Sequence, residues 1–153
     1  MVERILIVDS DETLPERLEL TAANLPESNF EFKRVATAAQ AFAYLERVDA
    51  DAVLCSSEIP GLDGFDIVPQ LAERLVEGCV ILTGEQDSAL LASEARSRGA
   101  FDCLSKPIEA SEFLFALTRV RDHTRQRRKQ ITLSLQLERA DDAVSYTHLR
   151  AHE

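Results

Sequence analysis

Five short apolar runs alternate with five segments of helical periodicity through about residue 120 of the chain. The runs cover residues 4–8, 30–35, 52–55, 79–83 and 101–105. The helical segments cover residues 13–25, 37–48, 65–75, 88–97 and 111 onward, the last with Ser111 as its N-cap. The first run is rich in β-branched residues, as a strand buried on both faces requires. This alternation predicts an α/β fold, a doubly wound parallel sheet of five strands with helices on both faces and right-handed crossovers.

The size and composition suit one domain. A chain of 153 residues with 45% hydrophobic side chains can bury one sizeable core. Cys55, Cys79 and Cys103 are odd in number and lie in or beside apolar runs, which predicts buried free thiols. No run approaches the ~18 apolar residues that span a bilayer, and no signal segment precedes the first strand. We therefore expect a cytoplasmic protein without membrane contact.

Charge is distributed unevenly along the chain. Residues 1–118 carry 22 acidic and 9 basic side chains, whereas residues 119–153 carry 8 basic and 5 acidic ones. The acidic body argues against nucleic-acid binding by the domain itself. For the basic stretch 121–129, a solvated helix face is favoured over a nucleic-acid patch.

Polar side chains stand where several predicted strands end. Asp9 and Ser10 follow the first strand, and Ser56 closes the third. Thr83 ends the fourth strand and Lys106, with Pro107, follows the fifth. Because sites in parallel α/β sheets gather beyond the carboxyl ends of the strands, these residues are expected to share one rim.

The third strand and its loop carry a more specific pattern. After Ser56 come two residues, an apolar residue, Pro60-Gly61, another apolar residue and Asp63-Gly64. This stretch resembles the receiver domain of two-component response regulators, in which an aspartate, two residues and Met-Pro-Gly-Met-Asp-Gly follow the same strand. The resemblance covers residues 4 to about 120. It implies the strand order 2-1-3-4-5 and a signalling module rather than an enzyme.

The resemblance also assigns roles to the polar rim. In the family, an aspartate accepts a phosphoryl group, two further acids hold Mg²⁺, and a hydroxyl and a lysine orient the transferring group. Ser56 stands at the phosphoacceptor position, and Ser10 replaces the second metal-binding acid. Cys103 stands where a switch aromatic is usual. The pocket positions that keep the family's residues are Asp9, Thr83, Lys106 and Pro107.

These substitutions imply a degenerate receiver that binds Mg²⁺ weakly, if at all. Asp9 remains as a weak ligand, and Glu58 is a second candidate because its side chain could replace a lost carboxylate. A serine hydroxyl is a weak nucleophile without a neighbouring base, and no histidine precedes His123. With two acids gone, Asp9 becomes the natural ion-pair partner of Lys106.

The expected function is phosphorylation-independent signalling through protein contacts. The resemblance implies a histidine kinase as a possible partner and homodimers formed through helix four, strand five and helix five. One alternative is an ordinary phosphorylated receiver that uses shifted acids such as Asp11 and Glu58. Another is the regulatory fragment of an enzyme whose catalytic domain lay past a truncation and is missing from this sequence.

Three regions are predicted along the sequence. Residues 1–120 form the receiver-like domain, and residues 121–142 form a basic helical linker to an output domain that is missing from the sequence. Within the linker, residues 131–137 alternate like a strand but also pair as i, i+4, and context favours a helix. Residues 143–153 resemble a translated sequencing adapter, which predicts a non-native tail that packs against nothing.

Overall fold

The computed structural model describes residues 2–26, 29–59, 64–75 and 79–152, with the side chains of residues 64–66 and 139–152 excepted. Five parallel strands form one sheet in the order β2-β1-β3-β4-β5. The elements are β1 (Glu3–Val8), α1 (Leu14–Ala22), β2 (Phe30–Val35), α2 (Ala38–Arg47), β3 (Ala52–Ser56), α3 (Gly64–Arg74), β4 (Cys79–Gly84), α4 (Ser88–Arg98), β5 (Asp102–Ser105) and α5 (Ala110–His152). The predicted fold class and strand order are confirmed.

The strand register brings the candidate residues to one edge. Val8 at the end of β1 lies opposite Cys55, and Ser56 at the end of β3 lies opposite Thr83. β5 continues this alignment, since Ser105 lies opposite Gly84. The residues that follow these positions therefore share the carboxyl edge, as expected for parallel strands.

The sheet separates two cores. One face is covered by α2, α3 and α4, and the other by α1 and α5. Phe113 of α5 is fully buried in the second core beside Ile5, Leu54 and Ile81. The helices anchor on both faces because the central strands are apolar on both sides.

Local sequence signals explain most helix ends. Pro15 occupies the first turn of α1, where its missing N–H is not needed. Thr37 and Asp87 cap α2 and α4 with side-chain oxygens that accept backbone N–H bonds. Gly99 ends α4 at φ 82°, a left-handed conformation that favours glycine.

The predicted start of α5 is wrong by a small margin. The helix begins at Ala110, so Ser111 lies inside the first turn and is not the N-cap. The Phe113 N–H donates to the Glu109 carbonyl at 3.0 Å, so the first helical hydrogen bond starts two residues earlier than an N-cap at Ser111 predicts.

Helix α5 continues to His152 without a break in its backbone. The ambiguous stretch 131–137 is helical, as favoured from context. Its apolar side chains are exposed: Ile131, Leu133, Leu135 and Leu137. The side chains of the predicted non-native tail lie outside the described residues. The same holds for the turn positions Pro60, Gly61 and Asp63.

The basic segment of α5 is only partly the solvated face that was predicted. Arg127 and Lys129 are exposed, but Thr124 is fully buried and Arg128 is half-buried. Arg128 pairs with Asp51, whose carboxylate lies at the opposite edge of the sheet from Ser56. The half-buried part of the segment arises because the helix continues past its core contacts and meets acidic groups there.

The cysteines are free thiols, with Cys55 and Cys79 buried and Cys103 half-buried. Burial raises the pKa of both buried thiols to about 12. Among the described residues, no helix is both long and apolar enough to cross a membrane.

Candidate functional site

A cleft of about 630 Å³ opens at the carboxyl edge of the sheet. It is lined by residues that end or follow β1, β3, β4 and β5, together with side chains of α1: Asp9, Ser10, Asp11, Leu14, Arg17, Ser56, Glu58, Glu85, Lys106, Pro107 and Ile108. The structure therefore brings most of the predicted rim together. Arg17, Glu85 and Ile108 are additions that the strand-end pattern did not single out.

An ion pair across the sheet dominates the cleft. Lys106 Nζ lies 2.6 Å from Asp9 Oδ2, as the sequence led us to expect. The Asp9 side chain is only 4% exposed and that of Lys106 is 23% exposed, so water screens the pair weakly. Asp9 Oδ1 accepts the Asp11 N–H at 2.9 Å. Both carboxylate oxygens of Asp9 therefore have partners within the protein.

Ser56 closes β3 with its side chain buried. Its Oγ accepts the Glu58 N–H at 3.2 Å, a contact that shapes the start of the following loop. A hydroxyl in this role is a turn-forming group rather than an activated nucleophile, because no base among the described hydrogen-bond partners takes its proton.

Thr83 is 1% exposed and contributes more to the framework than to the cleft surface. Its carbonyl accepts the Ser57 N–H at 2.8 Å. The Ser57 side chain makes a second contact, since its Oγ accepts a hydrogen bond from Gln86 Nε2 at 3.1 Å. This bond connects the loop after β4 to the loop after β3. Sequence reasoning missed this tie because neither Ser57 nor Gln86 belongs to a recognised motif position.

Asp11, a candidate for shifted chemistry, is already engaged. Its Oδ1 accepts the Thr13 N–H at 2.9 Å and the Thr13 Oγ1–H at 2.7 Å. Its Oδ2 lies 3.2 Å from Arg17 Nη2. The Thr13 hydrogen bonds, with a smaller contribution from Arg17, lower the pKa of the Asp11 carboxyl.

The donor set does not fit a magnesium ion well. Mg²⁺ prefers octahedral oxygen ligands with carboxylates among them. Asp9 is the one carboxylate buried in the described part of the cleft, and its oxygens are taken by Lys106 and a backbone N–H. Ser10 and Glu58 are exposed at the rim. Across the described residues, no group of three His, Cys, Asp or Glu side chains could hold a metal.

Cys103, the predicted switch position, lies in β5 away from the cleft. It lines a second cleft of about 360 Å³ with Asp102, Phe115 and Arg119. Burial, and secondarily Asp102, raises the pKa of its thiol. Arg119 Nη1 pairs with Asp102 Oδ2 at 2.8 Å, which joins α5 to β5 beside this cleft.

Comparison with known proteins identifies the family. The family model for the response regulator receiver domain matches residues 5–118. The chain belongs to this family. The receiver domain is 33% identical over 110 residues to the sensory transduction protein RegX3 of Mycolicibacterium smegmatis, covering 72% of the chain and 46% of that protein. It is 30% identical over 131 residues to an NtrX-like response regulator of Rickettsia conorii, covering 84% of the chain and 27% of that protein.

Solved structures agree with this assignment. The receiver domain of an HD domain-containing protein from Pseudomonas fluorescens aligns with a TM-score of 0.68 at 28% identity, covering 83% of this chain and 92% of that one. Chemotaxis regulator CheY4 of Vibrio cholerae aligns with a TM-score of 0.66 at 20% identity, covering 78% of this chain and 99% of that one, and shares the fold. The chain spans between a quarter and a half of the length of these curated relatives. It is thus a receiver domain of two-component signalling.

Proposed function

We propose that this receiver domain is a pseudo-receiver, which signals through protein contacts without accepting a phosphoryl group. The observation that carries the proposal is the Asp9–Lys106 ion pair in a cleft where Ser56 and Ser10 replace two acids. A receiver needs a carboxylate nucleophile and a bound cation at this place. Here the lysine neutralises the one buried acid directly.

Two features argue against the shifted-acid alternative. Asp11 is held by Thr13 and Arg17, so its carboxylate would have to leave three contacts to act as a nucleophile. Glu58 is exposed, and its backbone N–H is directed at Ser56 Oγ. An exposed carboxylate lacks the fixed position beside the lysine that in-line transfer requires.

Labelling with acetyl phosphate and Mg²⁺ tests this proposal. We expect no acid-labile phosphoprotein from the wild type and detectable label from the double variant Ser10→Asp with Ser56→Asp, which restores both acids beside Thr83 and Lys106. The matched control is Ser10→Asp with Ser57→Asp, which adds the same charge one residue away and should stay unlabelled. Labelling of the wild type to the level of the restored variant would refute the proposal.

The second part of the proposal is an output surface on α4, β5 and α5. Leu90 of α4 and Phe115 of α5 are 64% and 67% exposed, and Phe115 lines the cleft that contains Cys103. Large exposed apolar side chains around a cleft are typical of protein interfaces. We place a homodimer contact there. A histidine kinase and a downstream catalytic or output domain stay predictions from the family resemblance.

Sedimentation of matched charge variants tests this surface. Phe115→Glu should shift a concentration-dependent dimer toward monomer, because it places a charge in the proposed contact. Leu20→Glu on α1 is the control, since Leu20 is equally exposed at 69% but belongs to a helix outside the proposed surface of α4, β5 and α5. Equal sedimentation of both variants and the wild type at all concentrations would rule the contact out.

A further inference from the structure

The edge of the sheet opposite the cleft carries two buried acids. Glu3 at the start of β1 is 4% exposed, and Asp51 just before β3 is 7% exposed. Buried carboxylates require compensating charge or hydrogen bonds. The basic segment of α5, residues 121–128, lies over this edge.

Asp51 is fixed from several directions. Its Oδ2 accepts the Arg4 N–H at 2.7 Å, and its own N–H donates to the Arg4 carbonyl at 2.8 Å. Its carbonyl accepts the Cys79 N–H at 3.0 Å, so the residue is joined to both β1 and β4. Asp51 Oδ1 accepts a hydrogen bond from Arg128 Nη2 at 2.8 Å. Asp51, which is fixed by its bonds to β1 and β4, therefore anchors α5 at Arg128.

Glu3 adds a second negative group that is poorly compensated. Its Oε2 accepts no hydrogen bond from the described residues. Burial, and secondarily the Asp51 charge, raise the pKa of Glu3, whereas Arg125, Arg128 and Arg121 act to lower it. The electrostatic field of this edge therefore favours a cluster of cations.

Further contacts hold the same helical segment. Arg121 Nη1 donates to the Pro26 carbonyl at 3.2 Å, and Thr124 is fully buried one turn later. The side chains on the other side of this segment, including Arg127 and Lys129, are exposed. One face of residues 121–128 is therefore bound to the domain over two helical turns.

We propose that the amino edge of the sheet, formed by Glu3 and Asp51, is a docking site for the basic segment 121–128 of the same chain. The docked segment belongs to the receiver unit and sets the direction in which α5 leaves the domain. It fixes the position, relative to the sheet, of the exposed apolar side chains within residues 131–137. This function is independent of phosphoryl transfer, because it uses none of the cleft residues.

Hydrogen exchange on the full chain tests the docking site. Arg128→Gln should speed amide exchange across residues 121–130 by about fivefold to tenfold, the effect of losing a charge-assisted hydrogen bond. Arg127→Gln is the matched control, since it removes the same charge from the exposed face of the same turn and should leave exchange within about twofold of the wild type. Equal exchange in both variants would overturn the proposal.

A double-variant cycle separates docking from general destabilisation. Asp51→Asn keeps an acceptor for Arg4 but removes the charge, and combining it with Arg128→Gln should add little to either single change. Arg128→Lys should recover part of the protection, because the positive charge remains. Additive effects without lysine rescue would contradict an ion-paired site. Exchange rates that rise on dilution would assign the occupant to a second copy instead, which also contradicts the proposal.

Discussion

An ion pair lies at each of the two edges of the sheet, the carboxyl edge and the amino edge, but the two pairs connect different parts of the structure. At the carboxyl edge, Lys106 crosses from the end of β5 to Asp9 at the end of β1. At the amino edge, Arg128 reaches Asp51 from a helix that has left the core. The first pair joins parts of the sheet within an open cleft, whereas the second attaches an appended helix. Under the proposals above, the pair at the carboxyl edge replaces the ligand chemistry of the cleft, whereas the pair at the amino edge orients α5.

The largest expected effect comes from breaking the carboxyl-edge pair. Lys106→Met should lower the free energy of unfolding by about 3 kcal/mol, because it leaves the buried Asp9 carboxylate without its cation. Urea unfolding measures the change. Lys129→Met removes an exposed lysine and should cost less than about 0.5 kcal/mol. Equal losses in the two variants would show that the Asp9–Lys106 pair contributes no more than a surface charge.

A smaller effect is expected from disrupting the uncharged hydrogen bond between Gln86 and Ser57. A Cβ at Gly84 would lie 2.1 Å from Gln86 Oε1 and 2.7 Å from Ser57 Oγ, so both side chains must move. Gly84→Ala should therefore cost about 1 kcal/mol of unfolding free energy through the lost hydrogen bond. Gln86→Ala removes the tie directly, and adding Gly84→Ala to it should have little further effect. Strictly additive losses would show that the strain lies in the backbone.

The smallest expected effect comes from removing the Glu3 charge at the amino edge, and it should depend on pH. The folded-state pKa of Glu3 is raised, mainly by burial, so its charged form opposes folding above that pKa. Glu3→Gln should thus be more stable than wild type at pH 7 by less than about 1 kcal/mol. The advantage should shrink as pH falls toward 4.5, the ordinary value for this carboxyl. Urea unfolding midpoints of the variant and the wild type, measured between pH 4.5 and pH 7, check this prediction. A variant that is less stable than the wild type at every pH would contradict the account.

The difference between the edges also explains what the sequence could predict. The carboxyl edge follows a pattern of strand ends and a family motif, so Asp9, Ser56, Thr83 and Lys106 could be placed together in advance. The Asp9–Lys106 pair followed from removing the other acids. The tie between Ser57 and Gln86 could not be predicted, because it depends on side-chain directions in two loops.

The amino edge left no comparable signal. Asp51 and Arg128 are 77 positions apart, and neither stands in a motif. A run of arginines on a helix usually faces solvent, which is why the sequence favoured that interpretation. The contact requires α5 to continue at least as far as Arg128, and the packing of Phe113 and Leu117 in the second core sets the direction of the helix over the sheet.

The most direct test of the central claim is whether the carboxyl edge still binds magnesium. Melting temperatures should be compared with and without 10 mM Mg²⁺, with NaCl at equal ionic strength as the control. We expect a shift below about 1 °C for the wild type. The variant Ser10→Asp with Ser56→Asp should rise by about 3 °C, as expected for a cation at roughly ten times its Kd. A wild-type rise equal to that of the variant would show that Asp9 binds the metal despite Lys106, and would contradict the account.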